Sequence, residues 1–160
     1  VLRRLGRLNR ASGASFEVLE AVISDTDGVA KMDMTSPEWF REAPVNQKGA
    51  AVPRMRLDTV VERFGLTPTH LKIDVEGDEM RVLAGARRTL TLHRPLVQLE
   101  IHNEFLGAKG IKPAEVSAFL WGLGYRERWR LEERSSGRVA IARTQWFHPE
   151  GIEPTADPAG

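Results

Sequence analysis

The sequence has no cysteine. A disulfide scaffold, a thiolate zinc site and a cysteine nucleophile are therefore excluded. It also lacks any apolar run approaching the roughly 20 residues that span a bilayer, so a soluble, cytoplasmic chain is expected. Neither sign of charge prevails: 23 Lys and Arg stand against 22 Asp and Glu, a net charge of +1. That balance gives no electrostatic footprint for nucleic acid or for a membrane surface, so neither is expected as a partner. No internal repeat is visible. What remains is about one domain's worth of sequence, 160 residues of which 41% are hydrophobic, enough to bury an ordinary core.

Extended and helical signals alternate along the chain. "VLRRLGRLNR" places Leu2, Leu5 and Leu8 at near-helical spacing among four arginines, which reads as a solvated amphipathic helix. "SFEVLEAVIS" has the β-branched and aromatic content of a strand, and "DTDGVAKMDM" reads as a turn leading into a second one. From Thr35 to Pro53 no period is sustained, and a variable loop is expected. "LDTVVERFG" then sets Leu57, Val60, Val61 and Phe64 on one helical face, with Gly65 as the stop.

"HLKIDV", "DEMRVLAGARRTLTLH" and "PLVQLEIH" follow as strand, helix and strand. Met80, Leu83 and Ala84 mark the expected packed face of that helix. The spacing suits a right-handed crossover between parallel strands. "KPAEVSAFLWGLGY" predicts a helix with Pro113 in its first turn and an apolar face of Val116, Phe119, Leu120 and Leu123. "YRERWRLEE", the turn "SSG" and "RVAIART" predict an antiparallel hairpin. The expected fold class is α/β: a three-layer sandwich with a mostly parallel sheet ending in an antiparallel hairpin, over residues 1–147, followed by a disordered tail, 148–160.

In such sheets ligands bind beyond the carboxyl ends of the strands. Two adjacent strands end there in polar residues, Asp74, Glu76 and Glu79 after the first, Glu100, His102 and Asn103 at the second. Asp78 and Glu79 also fall in a helix's first turn, where carboxylates gain about 0.3–1 kcal/mol from the helix dipole, so each has a bland reading as a cap. Gly77 permits the sharp strand-to-helix turn. Asp74 closes an apolar strand, where a carboxylate persists only if paired, hydrogen-bonded or used.

"LKIDVEGDEMRVLAGA" followed by "HRPLVQLEIH" resembles the central signature of the FkbM family of S-adenosylmethionine-dependent methyltransferases. "DTDGVAKMDM" and "RMRLDTVVERFG" match the family's preceding segments in order, and the likeness covers roughly Val1 to His102. The resemblance implies a Rossmann-like class I methyltransferase fold and S-adenosylmethionine as cofactor. It implies O-methyl transfer to a small-molecule or carbohydrate hydroxyl. Its acidic cluster corresponds to Asp74, Glu76 and Glu79 and its strand-terminal acid to Glu100, with His102 or Glu100 as candidate base. Glu20 and Ala21 would border the adenine and Asp74 the methionine side. A divalent metal on Asp74, Glu76 and Glu100 is compatible with the pattern but not required, and no metal ligand is assigned.

The family's glycine-rich cofactor turn and its ribose-binding acid are not found before "SFEVLEAV". With Val as first residue, the sequence reads as an N-terminally truncated domain, expected to bind the cofactor poorly alone and to leave one side of the "LKIDV" strand unpaired. Two other readings stand beside the enzyme: a non-catalytic remnant or interaction domain, and a different α/β enzyme using acidic strand ends with a divalent metal.

Overall fold

A computed structural model describes residues 17–33, 41–42 and 49–152, with 41–42 as backbone only. The expected N-terminal helix, much of the expected loop and the end of the tail lie outside these residues. The chain divides into two compact units, one of residues 1–22 and 28–54 and a larger one of 23–27 and 55–160.

In the smaller unit, β2 (Gly28–Asp33) pairs antiparallel with β4 (Ala50–Met55) from Gly28 opposite Arg54 to Met32 opposite Ala50. Its other edge pairs with β3 (Arg41–Glu42). β2 alternates as a half-buried strand does, with Ala30 and Met32 buried and Val29 and Lys31 exposed. Two expectations change here. The strand expected over "SFEVLEAVIS" is reduced, in its described part, to β1 (Val22–Ile23). The segment expected to be a loop up to Pro53 contains β3 and most of β4, because strand pairing imposes order that local periodicity does not announce.

The larger unit is built on a sheet in the order β5-β6-β8-β7. β5 (His70–Ile73) runs parallel to β6 (Leu96–His102), and the chain between them is the crossover. β6 and β8 (Arg138–Phe147) pair antiparallel, as do β8 and β7 (Arg126–Ser135). The hairpin turn is tighter than expected, since Ser136 and Gly137, both left-handed, join the strands as a two-residue connection. The α/β class holds, but the sheet is mixed rather than mostly parallel. β5 lies at its edge, with no partner on its outer side among the described residues.

Side-chain alternation gives this sheet two unlike faces. Ile73, Val97, Leu99, Ile101, Ala142 and Trp146 point into the core against Val82, Leu83, Ala86, Leu90, Leu106, Val116 and Leu120 of the helices. The described helices therefore give the sheet one helical layer. Lys72, Gln98, Glu100 and Arg143 fall on the opposite face by the period of two. Two polar side chains of the core are paired in series: the Trp146 Nε1–H donates to Thr144 Oγ1 at 2.8 Å, and that hydroxyl donates to the Leu99 carbonyl at 3.2 Å.

The helix expected as one piece is two, α2 (Glu79–Gly85) and α3 (Arg87–His93), broken at Ala86 with φ −105° and ψ 3°. Its packed face is Val82, Leu83 and Ala86, while Ala84 is exposed. The cause of the break is a remote carboxylate. Asp58, in the first turn of α1 (Leu57–Arg63), accepts the Arg88 N–H at 3.0 Å and both the N–H and the hydroxyl of Thr89 at 2.7 Å. These are the free donors of a new helix start. Gly85 is required as well, because a Cβ there would overlap the Ser24 carbonyl oxygen.

α1 is capped in the same manner. Its N-cap residue, Arg56, makes no side-chain cap bond. Asp27 instead accepts the Arg56 N–H at 2.9 Å, the Arg56 Nε–H at 2.8 Å and the Thr59 hydroxyl at 2.9 Å. Val60 and Val61 of α1 are buried as expected, but Phe64 is exposed, with the Arg63 guanidinium over its ring. α4 (Asn103–Ala108) and α5 (Pro113–Gly122) complete the unit, α5 burying Val116 and Leu120 as its spacing predicts. Beyond β8, His148 stacks edge-on against Tyr125 at 5.5 Å, and Arg94 pairs with Glu150 at 2.8 Å.

Two outcomes follow from the caps. Asp58→Ala removes three hydrogen bonds from the start of α3 and should cost about 2 kcal/mol, the upper end for a cap, read by urea denaturation. Hydrogen bonds from the Arg56 backbone and side chain hold the Asp27 carboxyl below its ordinary value of 3.8. A depressed folded value means a contribution present above pH ~4 and lost as pH falls through the folded value. Thermal stability should therefore fall less on acidification in Asp27→Asn than in the wild type, and identical acid profiles would rule Asp27 out.

Candidate functional site

β5 ends at Ile73, and the next residues turn sharply into α2. Glu76 (φ 52°) and Gly77 (φ 101°) are successive left-handed residues. Gly77 is held to glycine twice over, by its backbone and by Phe105, whose Cβ would lie 2.5 Å from an added Cβ. The turn is pinned from below by Glu79, which has no exposed surface. Its Oε1 accepts the Gly77 N–H at 3.0 Å and faces His102 Nδ1 at 3.0 Å.

A carboxylate only accepts, so this contact assigns the proton to Nδ1 and turns Nε2 outward. Nε2 stands 3.8 Å from Asp74 Oδ1. Burying a carboxylate is costly unless its contacts repay it. Here a single oxygen fixes both the turn carrying Glu76 and the imidazole at the end of β6.

Asp74 and Glu100 lie on the polar face of the sheet, and between them sits a cation. Lys72 Nζ is 2.9 Å from Asp74 Oδ2 and 3.0 Å from Glu100 Oε1. Glu100 Oε2 is in turn 3.2 Å from Arg143 Nε, and Arg143 reaches Glu133 at 3.1 Å. Burial would lower the Lys72 pKa, but its hydrogen bonds to Asp74 and Glu100 outweigh that and hold it above the ordinary range. Asp74, Glu100 and His102 each offer a ligand atom within 4.8 Å of the other two.

Of the residues singled out from sequence, Asp74, Glu79, Glu100 and His102 are brought together. Glu76 is exposed on the turn and stands outside the group of three. Glu79 is a buried support rather than a simple cap, and Asp78 pairs with Lys109 at 2.7 Å. Asn103 is structural, its side-chain amide donating to the Val139 carbonyl at 2.7 Å. Glu20, exposed, and Ala21, half-buried, lie in the non-strand segment before β1, within the smaller unit.

Sequence reasoning missed Lys72 and Arg143. The period of two in "HLKIDV" was signal enough to place Lys72 beside Asp74. Arg143 depends on the β6–β8 register, to which nothing local points.

The family profile described as the methyltransferase FkbM domain matches residues 9–127, well over half of the chain. The chain belongs to the FkbM methyltransferase family. The fold agrees: the crystal structure titled methyltransferase FkbM from Methylobacillus flagellatus KT superposes with a TM-score of 0.54 at 17% identity, covering 89% of this chain. The chain spans 31% of the length of that FkbM protein. No curated protein matches the chain. No described helix is long and apolar enough to cross a membrane.

Glu79→Leu tests the buried support within this FkbM chain. It leaves the Gly77 N–H and the His102 Nδ1–H without their acceptor, at about 1–3 kcal/mol each. Chemical denaturation should show a loss near the sum of the two, and a loss under 1 kcal/mol would remove Glu79 from that role.

Proposed function

We propose that this chain forms part of the catalytic domain of an S-adenosylmethionine-dependent methyltransferase acting on a hydroxyl of a small molecule or sugar. The observation that carries the reading is the Glu79–His102 pair at the carboxyl ends of two parallel strands, with Asp74 and Glu100 beside it. Those strand ends are where an α/β sheet places its ligands.

The donor set suits such a cofactor in one respect. Asp74 offers a carboxylate whose side chain is 42% exposed, a counter-charge for the cationic methionine end. When bound, S-adenosylmethionine would supply an electrophilic methyl carbon, with its sulfonium sulfur as the leaving group that departs as a neutral thioether.

The chain's own residues have three tasks in this reading. Asp74 and Glu100 accept hydrogen bonds from the acceptor and fix its approach. His102, with Nδ1 committed to Glu79, takes the acceptor's proton at Nε2. Glu79 then faces the imidazolium so formed and stabilises it, while Lys72 keeps two carboxylates from crowding one another.

The test is transfer of a radiolabelled methyl group from S-adenosylmethionine to a panel of hydroxylated acceptors by the full-length protein containing this chain. Removing a general base costs roughly 10²–10⁴-fold, so His102→Ala should lower kcat by at least about 100-fold while circular dichroism is unchanged. Asp74→Ala and Glu100→Ala should also lose transfer. Wild-type turnover in the Asp74 and His102 variants would sink the assignment of this cluster.

A further inference from the structure

We propose that Asp74, Glu100 and His102 form a binding site for one divalent transition-metal cation, and that the Lys72 ammonium holds the same place when no ion is bound. Three observations carry this. The first is proximity: the three ligand atoms lie within 4.8 Å of one another, and since neighbouring ligands around such an ion stand about 3–3.5 Å apart, closure needs each atom to move by about 1 Å or less. Glu100 and His102 are two apart on β6 and so share a face, and Asp74 lies just past the end of β5, where its side chain can adjust.

The second is the support behind the imidazole. Metal-bound histidines donate their other ring N–H to a carboxylate, which fixes the ring and strengthens the ligand. Glu79 does this for His102, and at 0% exposure it is too deeply buried to serve as a ligand itself. The third is that the cradle already attracts a cation. Lys72 Nζ bridges Asp74 Oδ2 and Glu100 Oε1, and its side chain is half exposed, so it can swing out without disturbing the sheet.

The ligand class follows from the donors. An imidazole nitrogen with two carboxylate oxygens suits Mn²⁺, Co²⁺ or Zn²⁺ better than Mg²⁺ or Ca²⁺, which take oxygen ligands. His102 in place of the exposed Glu76 is what makes the difference. A bound ion takes the His102 Nε2 lone pair, so the metal-bound form excludes His102 as the base, and the inference is tested apart from methyl transfer, without cofactor or acceptor.

The full-length protein containing this chain, untagged, is titrated with Co²⁺, followed by visible absorption and calorimetry, with circular dichroism on every variant. One ion per chain is expected. His102→Gln and Glu100→Gln should each weaken binding strongly, and Glu79→Gln by about 10–100-fold, because the carboxylate that orients the His102 ring is lost. Lys72→Met, a surface change, should tighten binding several-fold by removing the competing ammonium.

Should His102→Gln fail to fold, the wild-type protein still decides the matter. The ring resonances of His102 must shift with Co²⁺ before those of exposed His70. Absence of saturable binding, unchanged affinity in Lys72→Met, or a His102 ring that does not respond overturns the proposal. S-adenosylmethionine affinity, measured separately on the same protein, distinguishes that failure from a failure of the methyltransferase reading.

Discussion

One buried carboxylate oxygen organises the functional end of this molecule. Glu79 Oε1 is shared by the Gly77 amide and the His102 imidazole, so the left-handed turn after β5 and the ring at the end of β6 are tied to the same atom. The turn's own backbone bond, from the Asp78 N–H to the Val75 carbonyl, is long at 3.4 Å. Its geometry is otherwise demanded from outside by Phe105, which leaves no room for a side chain at position 77. The parallel pairing of β5 with β6 brings Glu100 alongside Asp74, and Lys72 spans the two. The site is thus a consequence of strand register, one turn and one buried acid.

Much of this was visible in the amino-acid order, for identifiable reasons. "PLVQLEIH" declared itself because a buried strand is short and apolar, "HLKIDV" because its apolar residues alternate, and their acidic ends stood out against that background. The hairpin was marked by its turn residues and the α5 helix by Pro113 and its apolar spacing. The resemblance to FkbM methyltransferases rested on a sixteen-residue charge pattern, and it led to the right family.

What stayed hidden depends on contacts distant in sequence. Glu79 had a bland local explanation as a cap, and only the fold sets it 3.0 Å from His102 across 23 positions. The break at Ala86 was invisible because the capping acid, Asp58, comes from another helix. The mixed sheet was missed since parallel and antiparallel edges of a buried strand have the same apolar pattern. Ala84 and Phe64 fitted the helical period and still face solvent, because the period locates a stripe but not its edges.

The remote caps bear on the order in which the chain acquires its structure. α1, α2 and α3 have seven residues each, too few to persist as isolated helices in water. α1 receives its cap from Asp27, about 30 positions upstream, and α3 receives its own from α1 at a similar separation. Neither helix start can be satisfied until a long loop has closed, and α3 must wait for α1 to dock. Local helix formation therefore cannot lead the folding of this region. The helices arrive with the tertiary contacts that cap them, which raises the loop-closure entropy to be overcome first and makes the region gain or lose its structure as one unit.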